Sequence, residues 1–251
     1  MTLQEKFNKV SELQQELKKL RPLNKAELKR LKDEFMIENT YNSNAIEGNT
    51  LTLRETALIL QEGITIAEKP IKEHLEVIGY KDAFEYVVRL TDKSEPLTQR
   101  VIKDIHSLVL MNDNLNRGVY RNVPVQILGA LHTPPQPYLI AKQMEELLLN
   151  YPVWKENANT IECVSHFHIE FESIHPFIDG NGRTGRLILN FELMKAGLLP
   201  VNIKFSDRKN YYNCFDFYYE NNKDVSMFSN LVADYEIAEL TKYIKIIKGE
   251  Y

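Results

Sequence analysis

One stretch of the chain, residues 175–186, sets a histidine, a carboxylate and two arginines among three glycines: His-Pro-Phe-Ile-Asp-Gly-Asn-Gly-Arg-Thr-Gly-Arg. Helical periodicity precedes it at Val164-Phe167-Phe171 and follows it at Leu187-Ile188-Phe191-Met194. The stretch therefore reads as a loop that feeds a helix N-terminus. Gly180 and Gly182 carry no side chain, so a ligand can approach the backbone closely there. The free N–H groups and the positive end of the following helix suit a phosphate. Arg183 and Arg186, three apart, share a helical face and can reach the same anion. Asp179 is the only carboxylate of the loop and can hold Mg²⁺ through one oxygen. His175, at the loop entrance, can take a proton near neutral pH as a neutral imidazole. Cradle, cations, metal carboxylate and base together suit nucleotidyl or phosphoryl transfer.

The elements that must hold this loop read as helix after helix. Leu3, Phe7, Val10, Leu13, Leu17 and Leu20 form one apolar stripe, which packs onto the core or across a dimer. Arg21-Pro22 breaks that helix. Asn24 with Glu27, and Thr52 with Glu55, read as capping pairs opening a second and a third helix, the third stopping near Gly63. Pro70 suits a first helical residue, and a further helix spans about 98–111. Val123, Val125 and Ile127 then alternate before Gly129 and Pro134-Pro135, which predicts a short extended hairpin. Helices resume at about 140–147, and two more span about 207–222 and 225–247, with Gly197 a stop between. The expected fold class is all-α, with a short β-hairpin flap. The expected units are an N-terminal helical extension over 1–38, a helix segment over 39–63 and a core domain over 64–251.

Composition narrows the function. A net charge of −4 and a pI near 5.9 speak against a dedicated nucleic-acid binder. The basic run from Lys18 to Lys32 is interleaved with glutamates and reads as a solvated face. Two distant cysteines, Cys163 and Cys214, make no disulfide framework, and a cytoplasmic setting is expected. No apolar run reaches the roughly 18 residues that a membrane span needs, so no membrane partner is expected. His166, His168 and Glu170 could suggest a metal, but positions 166 and 168 fall on different sides of a helix. Capping or core hydrogen bonding is their reading.

Residues 175–186 resemble the signature of the Fic (Fido-domain) family, His-x-Phe-x-Asp/Glu-Gly-Asn-Gly-Arg-x-x-Arg, at all eight specified positions. The resemblance runs over about residues 40–235. It implies a protein adenylyltransferase that uses ATP and Mg²⁺ to place AMP on a Ser, Thr or Tyr hydroxyl of a target protein, itself included. His175 would be the base, and Phe177 would set the loop. Asp179, as the Mg²⁺ ligand, and Gly180, Asn181, Gly182, Arg183, Thr184, Gly185 and Arg186 would hold the phosphates. The flap, with Val125, Ile127 and Gly129, would dock the target. Tyr211, Tyr212, Leu131 and His132 would stand on the adenine side. Upstream, Ser43-Asn44-Ala45-Ile46-Glu47-Gly48 resembles the family's inhibitory motif, Ser/Thr-x-x-x-Glu-Gly/Asn. There Glu47 would pair with Arg186 and hold ATP unproductively, and in some relatives such a glutamate also supports removal of AMP. The alternatives are the same fold transferring UMP, phosphate or phosphocholine, and a nucleotide-gated interaction module.

Overall fold

The computed structural model describes residues 1–127 and 129–250. Tyr251, the end of the expected core unit, and Leu128, inside the expected hairpin, lie outside the described residues. Ten α-helices follow one another among those described: α1 (Leu3–Lys19), α2 (Lys25–Ile46), α3 (Leu53–Glu62), α4 (Ile71–Asp92), α5 (Gln99–Val109), α6 (Pro137–Asn157), α7 (Thr160–Ile174), α8 (Asn181–Lys195), α9 (Arg208–Glu220) and α10 (Ser226–Lys248). The all-α class is the one observed. No helix among the described residues is long and apolar enough to cross a membrane.

Local chemistry starts the helices where the sequence indicates. Asn24 and Glu27 cap α2 reciprocally and satisfy three otherwise orphan backbone donors, and Thr52 and Glu55 cap α3 and satisfy two. Pro70 is the N-cap of α4 rather than its first residue. α2 runs unbroken from Lys25 to Ile46 and so crosses from the 1–38 unit into the 39–63 unit.

The hairpin expectation is corrected, because no strand forms among the described residues. Pro124, Pro134 and Pro135 have no N–H to offer a ladder. The carbonyls of Val123 and Pro135 instead accept from the buried guanidinium of Arg121, at 2.9 and 2.7 Å. Val123, Val125 and Ile127 therefore lie in a loop between α5 and α6.

α7 and α8 lie side by side at the centre; α4 and α5 cover α8, α6 and α10 cover α7, and α1 packs along α10. α8 is buried almost all round, with Leu187, Ile188, Leu189, Phe191 and Leu193 in the core. A helix enclosed in this way is held by packing more than by propensity. Its N-terminus consequently has a fixed position.

The turn after α8 is pinned by Glu236 of α10, whose Oε1 accepts the Leu199 N–H at 2.9 Å. Glu236 is fully buried and its Oε2 has no partner. Burial raises its pKa from the ordinary 4.5 to about 8, with Glu239 adding to the shift and the Leu199 N–H opposing it. The unfolded chain ionises this group from about pH 4.5, whereas the folded chain keeps the proton until about pH 8. Its contribution to stability is thus complete at low pH and is lost as pH rises through that window. Urea melts of wild type and Glu236→Gln at pH 5 and pH 8 should show the wild type losing ground to the variant by a few kcal/mol, on the order of 2–4. A pH-independent difference would show that the carboxyl is not protonated in the folded protein.

Candidate active site

Three helix ends meet at one cavity: the C-terminus of α7, the N-terminus of α8 and the C-terminus of α2. The cavity holds about 390 Å³ and is lined in part by Glu47, Glu172, His175, Gly182, Tyr211 and Tyr212.

His175 caps α7 in the left-handed region, φ 48° and ψ 60°. That backbone costs a non-glycine residue on the order of 1 kcal/mol, so its surroundings must hold it. The Arg121 Nε donates to the His175 carbonyl at 2.8 Å, and the Arg121 N–H to the Pro176 carbonyl at 2.9 Å. The His175 ring faces the Glu172 carbonyl through Nδ1, at 3.3 Å. A carbonyl can only accept, so Nδ1 carries the hydrogen and Nε2 is left with a free lone pair. Burial pulls the pKa of His175 down to about 4, the Glu172 carbonyl and Glu47 opposing and Arg121 reinforcing. The imidazole is therefore neutral at pH 7, as a proton acceptor requires.

The loop after His175 is stapled to the core. Phe177 is fully buried and stacks on His106 of α5 at 3.6 Å between ring centres. The Gly118 N–H donates to Nδ1 of His106, so Nε2–H is directed to the Asp179 carbonyl at 2.9 Å. Asn181 accepts the Phe177 N–H and donates to the Phe177 carbonyl, both at 2.9 Å. Its amide is thus occupied in closing the loop rather than turned to the cavity. Gly180 is the N-cap of α8, with φ 76°, and Thr184 points into the core.

The two arginines are placed differently. Arg183 is buried and pairs with Asp179 at 3.1 Å and with Glu76 of α4 at 3.5 Å, behind the loop. Arg186 is 3% exposed. Its Nε donates to Ser43 Oγ at 2.9 Å, and its Nη2 to the Ser43 carbonyl and Glu47 Oε1, both at 2.8 Å. Nη1 reaches the Tyr211 hydroxyl at 3.4 Å. Glu47 is the C-cap of α2, one helical turn after Ser43, and Gly48 follows with φ 98°.

Two glycines of α8 make room for two carboxylates. A Cβ on Gly182 would stand 2.2 Å from Glu47 Oε1, and one on Gly185 2.4 Å from Glu172 Oε1. Gly182 and Gly185 lie three apart and so face the same way. Glu172 is buried with Oε1 unpartnered. Burial, and then the charge of Glu47, raise its pKa to about 8 against the pull of Arg186. The Glu172 carboxyl near Arg186 is accordingly neutral at pH 7.

Among the other expected residues, Tyr211 and Tyr212 line the cavity, as do Ile127 and Gly129 of the flap. Val125 is half-buried outside the lining. Leu131 is exposed, and His132 stacks on Tyr219 at 4.4 Å, so neither lines the cavity. His168 is buried against the Tyr211 hydroxyl at 2.8 Å, and His166 meets the Tyr218 hydroxyl at 3.2 Å. Sequence reasoning missed Glu172, Arg208, Phe215 and Asp216 of the lining, and His106 and Glu76 behind it. One local signal was available, the Gly185 that leaves space for Glu172.

The comparisons agree with this architecture. Residues 96–193 match the Fic/DOC family. A Fic-domain-containing signalling protein from Bacteroides thetaiotaomicron is similar in structure, with a TM-score of 0.90 and 30% identity, over 97% of this chain and 98% of that one. Fic-1 from C. elegans is similar with a TM-score of 0.86 and 30% identity, over 99% of this chain and 74% of that one. The protein adenylyltransferase Fic of Nematostella vectensis is 39% identical over 92% of this chain and 53% of its own length. The chain spans about half the length of the curated relatives it matches. It belongs to the Fic family.

The seat at Gly185 can be tested by a double-mutant cycle. Gly185→Ala should destabilise the protein by about 1–3 kcal/mol, since the methyl meets a buried carboxyl. In a Glu172→Val background the same change should cost at least about 1 kcal/mol less. Equal costs in urea melts would show that the two positions do not meet.

Proposed function

We propose that this chain transfers the AMP part of ATP to a Ser, Thr or Tyr hydroxyl of a target protein, and that Glu47 restrains it. The observation that carries this reading is where Glu47 sits. Its carboxylate lies against Gly182 at the N-terminus of α8 and 2.8 Å from Arg186. That is the position where the helix N-terminus and a guanidinium would together receive a phosphate. The adenylyltransferase relatives support AMP as the transferred group.

In this reading His175 Nε2 takes the proton of the target hydroxyl, the oxygen attacks the α-phosphorus, and the bond to the leaving pyrophosphate breaks. Tyr211, Tyr212 and Phe215 form the wall for the adenine, and Ile127 and Gly129 bring the flap to the cavity edge, where a target would lie. Asp179 fits a Mg²⁺ ligand: its Oδ1 is engaged by the Gly180 N–H and Arg183, while Oδ2 has only Lys72, at 3.9 Å. No group of three or more His, Cys, Asp or Glu gathers for a metal among the described residues. The ion would therefore share one carboxylate with the phosphates, as Mg²⁺ does in nucleotide sites. It would neutralise phosphate charge.

Glu47→Gly protein incubated with Mg²⁺ and labelled ATP should take up the α-label and not the γ-label. Adding His175→Ala should cut the transfer at least about 10²-fold while nucleotide still binds. Uptake of the γ-label would show phosphate transfer, and near-normal labelling without His175 would remove it from the mechanism.

The restraint has a thermodynamic signature. A carboxylate and a γ-phosphate compete for Arg186, so Glu47→Gly should transfer faster than wild type. It should also melt lower, because Arg186 stays buried without its partner. The loss should be at most about 3 kcal/mol, since Glu47 is about a third exposed and water screens it. Mg·ATP should raise the melting temperature of Glu47→Gly more than that of wild type. Equal shifts with unchanged transfer would show that Glu47 does not restrain the site.

A further inference from the structure

Arg121 lies in the loop between α5 and α6, only 5% exposed. Its side-chain hydrogen bonds go to main-chain carbonyls: Nε to His175 at 2.8 Å, Nη1 to Val123 at 2.9 Å, and Nη2 to Pro135 at 2.7 Å and Ile174 at 3.4 Å. Burial lowers its pKa, yet an arginine keeps its proton in a protein. The carbonyl dipoles, two of them at the negative C-terminal end of α7, replace its water.

The four carbonyls belong to two parts of the site. Ile174 and His175 end the helix that carries the candidate base, in the left-handed turn described above. Val123 and Pro135 are the two limbs of the flap that borders the cavity through Ile127 and Gly129. A planar fork of donors can hold both parts at once, whereas a point-charged ammonium cannot. The nucleotide cradle is fixed by other contacts: His106 with Asp179, Asn181 with Phe177, and Arg186 with Ser43 and Glu47.

We propose that Arg121 is a positioning residue that ties the flap to the backbone of His175, so that the surface a target docks on and the base that deprotonates it move as one body. This rests on the adenylyl-transfer reading above. Lifting the flap would require the guanidinium to release either the two limbs or the His175 carbonyl. Flap position and base orientation are therefore one variable, separate from nucleotide binding.

The test uses Arg121→Lys and Arg121→Gln, each in the full chain. In the Glu47→Gly background, both should lower the rate of α-label auto-transfer at saturating Mg·ATP at least about tenfold, with the Kd for ATP changed less than about threefold. An unchanged rate, or an ATP affinity that falls in step with the rate, would overturn the proposal. A second arm needs no nucleotide. The His175 ring proton is followed by NMR against pH in the Glu47-containing protein, and assigned by its loss in His175→Asn. The charged or titrating groups facing this ring are Glu47 from α2, Arg121, and His132 from the loop before α6. Removing the Arg121 charge removes a repulsion for the imidazolium, so the midpoint should move up in Arg121→Gln, with thermal melts confirming a folded chain. If Glu47→Gly itself takes up no α-label, the transfer reading fails. The NMR arm then judges Arg121 alone, and an unmoved midpoint sinks the coupling.

Discussion

A full positive charge is enclosed within this protein, on Arg186, and the last turn of α2 and the start of α8 are arranged around it. The guanidinium cannot shed its proton, and taking it out of water costs several kcal/mol unless hydrogen bonds and an anion replace the solvent. The last turn of α2 supplies both. Ser43 offers its hydroxyl and its helix-end carbonyl, and Glu47 offers the charge. Carbonyls in the last turn of a helix have no partner within it, and their dipoles favour a cation. Docking of α2 and burial of Arg186 are therefore coupled. A nucleotide that displaced Glu47 would have to bring an equivalent negative charge, which a triphosphate does.

The same helix end shows how packing permits chemistry that local propensity opposes. Gly182 and Gly185 sit in the first turns of α8, and each costs a helix about 1 kcal/mol relative to alanine. The helix tolerates them because α7, α4 and α5 enclose it and its apolar residues reach the core on every side. In return the backbone has two recesses, occupied by Glu47 and Glu172. A residue with a Cβ at either place would close the recess.

Much of this was legible where the causes are local. The capping pairs of α2 and α3 connect residues three apart, and the loop chemistry of 175–186 is contained in twelve consecutive residues. The rest depended on partners far along the chain. A unit boundary was expected at 38/39, yet α2 continues through it, and there Asn42 accepts from the Phe205 N–H and donates to Asn202. The alternation of Val123, Val125 and Ile127 suggested a hairpin, but a ladder needs donors that the prolines lack, and an arginine took the acceptors. The family resemblance assigned Asn181 to the phosphates; the bonds to Phe177 that occupy it follow from the fold of the loop. Glu172 drew no attention because a glutamate in an apolar helix ordinarily marks the solvent face.

Contacts of this kind also order the loop that joins α7 to α8. A loop of glycines ending in free N–H groups has many alternative conformations, and fixing each residue costs roughly 1–2 kcal/mol. Here the ordering is achieved by the fold itself. His106 holds the Asp179 carbonyl, Asn181 closes the loop on Phe177, and Arg121 holds the turn at His175. All three act through backbone groups, which leaves Nε2 of His175 and Oδ2 of Asp179 outside these bonds. A site ordered in this way would lose little entropy on binding a ligand, and its dipoles would need little reorganisation if charge developed there. The backbone of the loop is thus fixed partly from within the motif, by Asn181 on Phe177, and partly from outside it, by His106 and Arg121.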